Sequence, residues 1–183
     1  MDHAQAVAWY RRAVAQGYAP AEQALGSRLL AGRGAPKNQE EGLRLIRSAA
    51  EKGNARAQSI LGGAYERGTG LAKDPVAAVR WYRKAAEQGE QFGQRGLGAA
   101  YARGSGVPQD LIQAYVWLTL AGDADLKVTP GMQHEKKSQV KRWTARFREI
   151  ESKLSAEQKA EAAKLIQARE QQMRKSLEGG EPR

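Results

Sequence analysis

The chain contains no cysteine. That absence excludes disulfides, a thiol nucleophile and any zinc site built on thiolates. Histidine is nearly missing too, with only His3 and His134 among 183 residues. Neither has a carboxylate or second histidine at metal-ligand spacing, so no metal site is expected. No catalytic residue is assigned and no cofactor is expected. Glu40 and Glu41 are adjacent, so on a helix they point about 100° apart and do not form a poised acid–base pair. No apolar run approaches the ~20 residues needed to cross a bilayer. Met1 to Tyr10 show no basic region followed by an apolar one, so no secretory signal is read there. The residues do not identify a compartment. No segment alternates polar and apolar residues with period two, so no sheet is expected.

What is present is a period. Shifted by 36 positions, the sequence aligns with itself without a gap. Trp9-Tyr10 falls on Leu45-Ile46, Trp81-Tyr82 and Trp117-Leu118. Leu25-Gly26 falls on Leu61-Gly62 and Leu97-Gly98, and Ala13 on Ala49, Ala85 and Ala121. A fixed period of this length is the mark of a stacked repeat. Each period holds two helical patterns. Ala57, Leu61, Gly62 and Tyr65 share one helical face, and Ala78, Trp81, Tyr82 and Ala85 form an amphipathic stripe. Asp2, Asn38, Asp74 and Asp110 are good N-caps, and Pro75 suits the first helical turn. Gly17, Gly32, Gly53, Gly68, Gly89 and Gly104 stand where a left-handed residue ends a helix. Gly26, Gly62 and Gly98 fall mid-helix, at a cost of about 1 kcal/mol against alanine. Close helix approach would justify that cost, with the Trp-Tyr pairs filling the core beside them. Gly-x-Gly recurs at Gly32, Gly68 and Gly104 between helices and without a preceding strand. It reads as a turn, not a phosphate loop.

Ala78 to Gly89, then Leu97 to Val107, resemble the Sel-one-like repeat family, relatives of the tetratricopeptide repeats. The resemblance covers Asp2 to about Ala121. It implies an all-α right-handed superhelix of 36-residue helical hairpins that binds proteins. In that family the Leu-Gly helix opens the hairpin. Residues 1–18 then form an orphan repeat helix or N-terminal cap, and 19–125 hold three repeats.

The period fails after Ala121. Gly122 to Val128 reads as a loop, and Thr129-Pro130 as a helix start. Val140, Trp143, Phe147, Ile150 and Leu154 then make one apolar stripe. Ser155 to Gln158 is a capping box that opens a last helix, with Ala156, Ala160, Ala163 and Ile166 expected to face inward. Residues 126–177 are expected to cap the stack as a helical hairpin, with a frayed tail over 178–183.

Thirty basic against twenty acidic residues give a net charge of +10. Repetition stacks Arg11, Arg47 and Arg83 into a column on the Trp-Tyr helices. The resemblance places those helices on the convex side, where a solvated face is the plain reading. On the Leu-Gly helices, lining the concave side, stand Arg56, Arg67, Arg95 and Arg103. These are the candidate partner-binding residues, with Gln23, Ser59 and Phe92 as further contacts. The expected partner is another protein or peptide of acidic character. Lys137, Lys141 and Arg148 form a secondary basic patch in the tail. Two alternatives follow: a bacterial immunity-type protein neutralising a secreted toxin such as a lipase, which the resemblance implies, and a basic nucleic-acid-binding protein. The second is disfavoured, because no groove-reading helix or base-stacking sheet is present and the tail's basic and aromatic residues occupy different faces.

Overall fold

The structure, a computed structural model, describes residues 3–122 and 134–178, and the side chains of 3–122 and 138–175. Among the described residues there are nine α-helices and no strand. They are α1 (His3–Ala15), α2 (Ala19–Ala31), α3 (Gln39–Glu51), α4 (Ala55–Arg67), α5 (Pro75–Glu87), α6 (Gln91–Arg103), α7 (Leu111–Leu120), α8 (His134–Ser152) and α9 (Ala156–Glu178). Each of the first seven packs on its chain neighbour, so the body is a row of antiparallel pairs. Helix α4 also touches α6 directly, bringing two Leu-Gly helices side by side. Both α8 and α9 pack on α7.

The helix ends follow the local chemistry. The side chains of Asn38, Asp74 and Asp110 each accept the backbone N–H three residues on. Asn54 and Glu90, which the sequence reading passed over, do the same for α4 and α6. Asp2 and Thr129-Pro130 lie outside the described residues, as does most of the expected Gly122–Val128 loop. The Leu-Gly helices all stop at a glycine near φ +67°: Gly32, Gly68 and Gly104. The loop after each is closed by one recurring bond, the Asn38, Asp74 or Asp110 N–H donating to the carbonyl of Leu29, Tyr65 or Tyr101. In the Gly-x-Gly turns the second glycine is required. A Cβ on Gly106 would sit 2.2 Å from the Pro75 carbonyl oxygen, a backbone atom that cannot yield.

The core recurs with the period. Ile46, Ala49, Ala57 and Leu61 form one buried cluster; Ala78, Tyr82, Leu97 and Trp117 form another. Mid-helix glycines mark close approach, as expected. A Cβ on Gly26 would lie 2.9 Å from the Gly42 carbonyl oxygen of α3, and one on Gly62 would lie 2.7 Å from the Tyr82 ring. A second repeated feature is a polar latch. Lys52 donates to the buried Glu22 at 2.8 Å, and 36 residues on Gln88 donates to the buried Gln58 at 2.8 Å. The arginine column on the Trp-Tyr helices is not simply solvated. Arg47 donates to the Tyr65 hydroxyl at 3.3 Å and Arg83 to the Tyr101 hydroxyl at 2.9 Å, while Arg11 pairs with Glu41.

Two expectations about packing are corrected. The tryptophans are not uniformly core: Trp117 is buried and Trp81 half-buried, but Trp9 is 62% exposed. Trp117 packs on the helix pair before it, and no described helix precedes α1 to cover Trp9. In α9 the inward face is also different. Ala156, Ala160 and Ala163 are exposed, whereas Ala162 is fully buried and Ile166, Arg169 and Met173 follow it inward. Alanine gains little from burial, so larger side chains set the rotation. The Arg169 guanidinium lies 4.3 Å over the Trp117 ring and also donates to Gln113. The apolar stripe is as expected at Val140, Phe147 and Ile150 of α8 and at Leu154 just beyond its end, with Phe147 stacked on Tyr115 at 5.1 Å. The capping box at Ser155 and Gln158 is formed in both directions.

Candidate functional site

Because α4 and α6 occupy equivalent places in successive repeats, side chains at equivalent positions align across them. Between the two helices opens a cleft of about 400 Å³. Six of the seven candidate residues line it: Arg56, Ser59 and Arg67 from α4, and Phe92, Arg95 and Arg103 from α6. The seventh, Gln23, lies one repeat earlier on α2, with its amide bonded to Ser27 at 2.8 Å. The secondary basic patch stands apart from the cleft. Lys141 and Arg148 are exposed on α8, and the Lys137 side chain lies outside the described residues.

The cleft has two chemically different ends. Arg56 and Arg67 are eleven residues apart on α4, so about 16 Å separates their positions along the helix. At the Arg56 end, guanidinium and aromatic groups alternate. Arg56 stands 4.2 Å over the Phe92 ring, and Arg95 lies 6.0 Å from Phe92 and 4.3 Å from the Trp143 ring of α8. Such cation–π contacts hold the guanidinium faces and leave their edges to donate. Glu90 ties this end down twice. One oxygen caps α6 through the Gly93 N–H, and the other accepts from Arg56 at 2.9 Å. Arg95 also donates to the Ala121 carbonyl. The Ser59 hydroxyl is satisfied by the Arg56 carbonyl, so it lines the floor without offering a free donor.

The Arg67 end is built around Glu66. Its carboxylate accepts from Arg103 through one oxygen and from the Tyr82 hydroxyl, at 2.8 Å, through the other. Tyr82 belongs to α5, behind the cleft. Its ring passes between α4 and α6, and room for it exists because residues 62 and 96 are glycine. Burial, then the Glu66 charge, pushes the phenol well above its ordinary pKa of 10.0. Arg67 makes no hydrogen bond or ion pair among the described residues. From α8, Arg146 stands beside Arg103 and Glu66; burial first, and then Arg103, lower its pKa. A guanidinium remains charged under such a shift.

Sequence reasoning found the arginines by stacking equivalent positions. It missed Glu66, Tyr82, Trp143 and Arg146. Two of these carried a signal, a break in the period. Glu66 stands where the other repeats have Leu30 and Ala102, and Tyr82, where another has Ile46, faces Gly96 in place of Ile60.

Stacked two-helix units with a cleft on the face of their first helices define an α-helical repeat solenoid. The Sel1 repeat profile matches residues 2–18, 19–54, 55–90 and 92–126, and the chain belongs to that family. Repeats of that family generally act as protein-interaction scaffolds. The chain is similar to a Sel1 repeat protein of Oxalobacter formigenes, 39% identical over 65% of this chain and 49% of that one, with a TM-score of 0.60. It is also similar to a protective antigen of uropathogenic Escherichia coli displaying an SLR fold, 30% identical over 98% of this chain and 36% of that one, with a TM-score of 0.74. This chain thus corresponds to half or less of the length of either relative. The comparison with curated proteins finds no match. Among the described residues no group of His, Asp and Glu could hold a metal, and no helix is long and apolar enough to cross a membrane.

Proposed function

We propose that this chain is a protein-interaction scaffold whose cleft between α4 and α6 takes an acidic segment of a partner protein. One observation carries the reading: four arginines from two successive repeats line a single cleft in which, among the described residues, Glu66 is the one lining carboxylate. Guanidiniums clustered in one cleft favour carboxylates by charge and by paired hydrogen bonds. The exposed Phe92 ring adds apolar area beside them, as protein-recognition sites commonly do. The nucleic-acid alternative gains no support, since Phe92 and Trp143 each already carry a guanidinium on the ring instead of offering a free stacking platform. The toxin-neutralising alternative is a special case of protein binding, and no residue here selects it.

The test is selection of peptides from a random display library on the intact chain, repeated on Ala99→Trp. Ala99 lines the cleft, so the indole fills it without changing charge. The reading predicts acidic consensus sequences that bind the wild type and lose at least tenfold on Ala99→Trp. Peptides with no acidic bias, or equal binding to both proteins, would overturn it.

A further inference from the structure

The Arg67 end of the cleft carries an unbalanced charge. Arg67 and Arg103 line it with one carboxylate, Glu66, and Arg146, one helical turn after the lining residue Trp143, lies within electrostatic reach of Arg103 and Glu66. Glu66 is already committed, with one oxygen on Arg103 and the other on Tyr82. The other acid near Arg146, Glu149, is exposed and held by Lys153 at 2.6 Å. Arg67 in the cleft lining and Arg146 beside it therefore have no hydrogen-bonded partner among the described residues. Arg146 is half-buried, where an unpaired charge is costly to keep. Two formal positive charges are left over.

We propose that this end of the cleft receives two neighbouring carboxylates of an unmodified acidic segment, one on Arg67 and one on Arg146. The proposal rests on the cleft being the partner site. The leftover guanidiniums come from different elements, Arg67 from α4 and Arg146 from α8. Charge divided in this way suits two separate carboxylates better than one compact phosphate, which is clasped best by guanidiniums that converge on a point. Glu66 serves as the internal template. It shows how a carboxylate is held here, by one guanidinium and one phenol. It also holds Arg103 in place, so the arriving acids meet the two arginines that remain. Because α8 contributes Trp143 to the lining and sets Arg146 beside it, that helix forms part of the site.

The experiment is fluorescence anisotropy with the full chain and labelled Gly-Ser peptides. These carry two adjacent glutamates, one glutamate and one glutamine, or a single phosphoserine. The diglutamate peptide should bind about tenfold more tightly than the monoglutamate peptide, the scale of one added charge-assisted bond. Arg67→Gln and Arg146→Gln should each erase that advantage, bringing the diglutamate and monoglutamate peptides within about threefold of each other. Neither residue makes a hydrogen bond or ion pair among the described residues, and melting curves check that both variants fold. A phosphoserine peptide that outcompetes diglutamate tenfold would overturn the proposal, as would variants that keep the full diglutamate preference. If Ala99→Trp abolishes binding while the two Gln variants do not alter it, the cleft reading stands and this proposal fails. If Ala99→Trp is also without effect, both fail.

Discussion

Gly96→Ala should destabilise this protein, although alanine is the better helix former. A Cβ built on Gly96 would lie 2.6 Å from Tyr82 Cε1 and 2.7 Å from both Cδ1 and Cζ. The ring cannot retreat, because on its other side a Gly62 Cβ position is 2.7 Å from Cδ1 and the residue is only 5% exposed. Removing a mid-helix glycine gains about 1 kcal/mol. Overpacking a rigid ring costs about 1–3 kcal/mol, and contacts this short belong at the upper end. The net expectation is a loss of about 1–2 kcal/mol. The preceding repeat shows how the conflict is relieved: its equivalent pair is Ile46 and Ile60 in place of Tyr82 and Gly96. In a Tyr82→Ile background the same Gly96→Ala change meets no ring and should stabilise by about 1 kcal/mol. The coupling across the cycle is then about 2–3 kcal/mol, well above the ~0.5 kcal/mol expected of independent sites. Thermal melts of the four proteins, followed by far-ultraviolet circular dichroism, read it directly. At about 2–4 °C per kcal/mol for a chain of this size, the sign reversal is easily resolved. If Gly96→Ala shifts the midpoint in the same direction in both backgrounds, Tyr82 is not what makes glycine necessary at position 96.

Tyr82→Phe tests the phenol itself. The folded pKa lies above the unfolded value of 10.0, so the native state retains a proton that the unfolded chain releases. Stability from this group is therefore complete below pH 10 and lost as pH rises beyond it. Wild type should lose stability steadily above pH 10 and the Phe variant less steeply, with about 1–2 kcal/mol lost at neutral pH for the missing bond to Glu66; parallel alkaline slopes in melts from pH 8 to 11 would contradict the assignment. For the latch, Lys52→Ala removes the cation from the buried Glu22 carboxylate, leaving it the Ser48 hydroxyl, and should cost about 2 kcal/mol, since Lys52 itself is half-exposed. The double change Glu22→Gln with Lys52→Gln copies the Gln58–Gln88 pair of the next repeat and should return to within about 1 kcal/mol of wild type. Urea unfolding midpoints decide this, and a double variant no better than Lys52→Ala would show that the two latches are not interchangeable.

The repeat body was legible in the sequence because each of its rules is local and is stated several times over. A cap such as Asp74, a stop such as Gly68 and a stripe such as Ala78, Trp81, Tyr82 and Ala85 each need only a few consecutive residues, and the period confirms them. The α9 face was misread because Ala156, Ala160 and Ala163 spell an inner stripe by periodicity alone. The rotation is set instead by a contact across chain-distant elements, Arg169 on Trp117. Trp9 was misread for a related reason: its position matches the buried Trp117, but burial at that position is supplied by another helix pair. In the cleft, the arginines could be stacked from the sequence. The reach of the Tyr82 hydroxyl to Glu66, and the choice of Trp143 among the α8 stripe residues to meet Arg95, depend on inter-helix register that no spacing records.

A perfectly regular solenoid would present the same surface at every junction and could not confine a binding site to one of them. The residues that set this cleft apart lie where the repeats disagree. Phe92 occupies the position of Arg56 and Pro20, and Arg95 that of Ser59 and Gln23. Gly96 replaces Ile60 and Ala24, and Glu66 replaces Leu30 and Ala102. All four stand on α4 or α6, facing a single junction, and Trp143 meets them from outside the repeat altogether. Positions that obey the period, such as Leu61 and Leu97, are buried and serve the stack. The division has a physical basis: a core position must satisfy the same neighbours in every unit, whereas a position on the open face has none to satisfy and can diverge. The cleft is thus a property of one junction and the helix laid beside it, and adding or removing repeats on the α1 side would leave its chemistry unchanged.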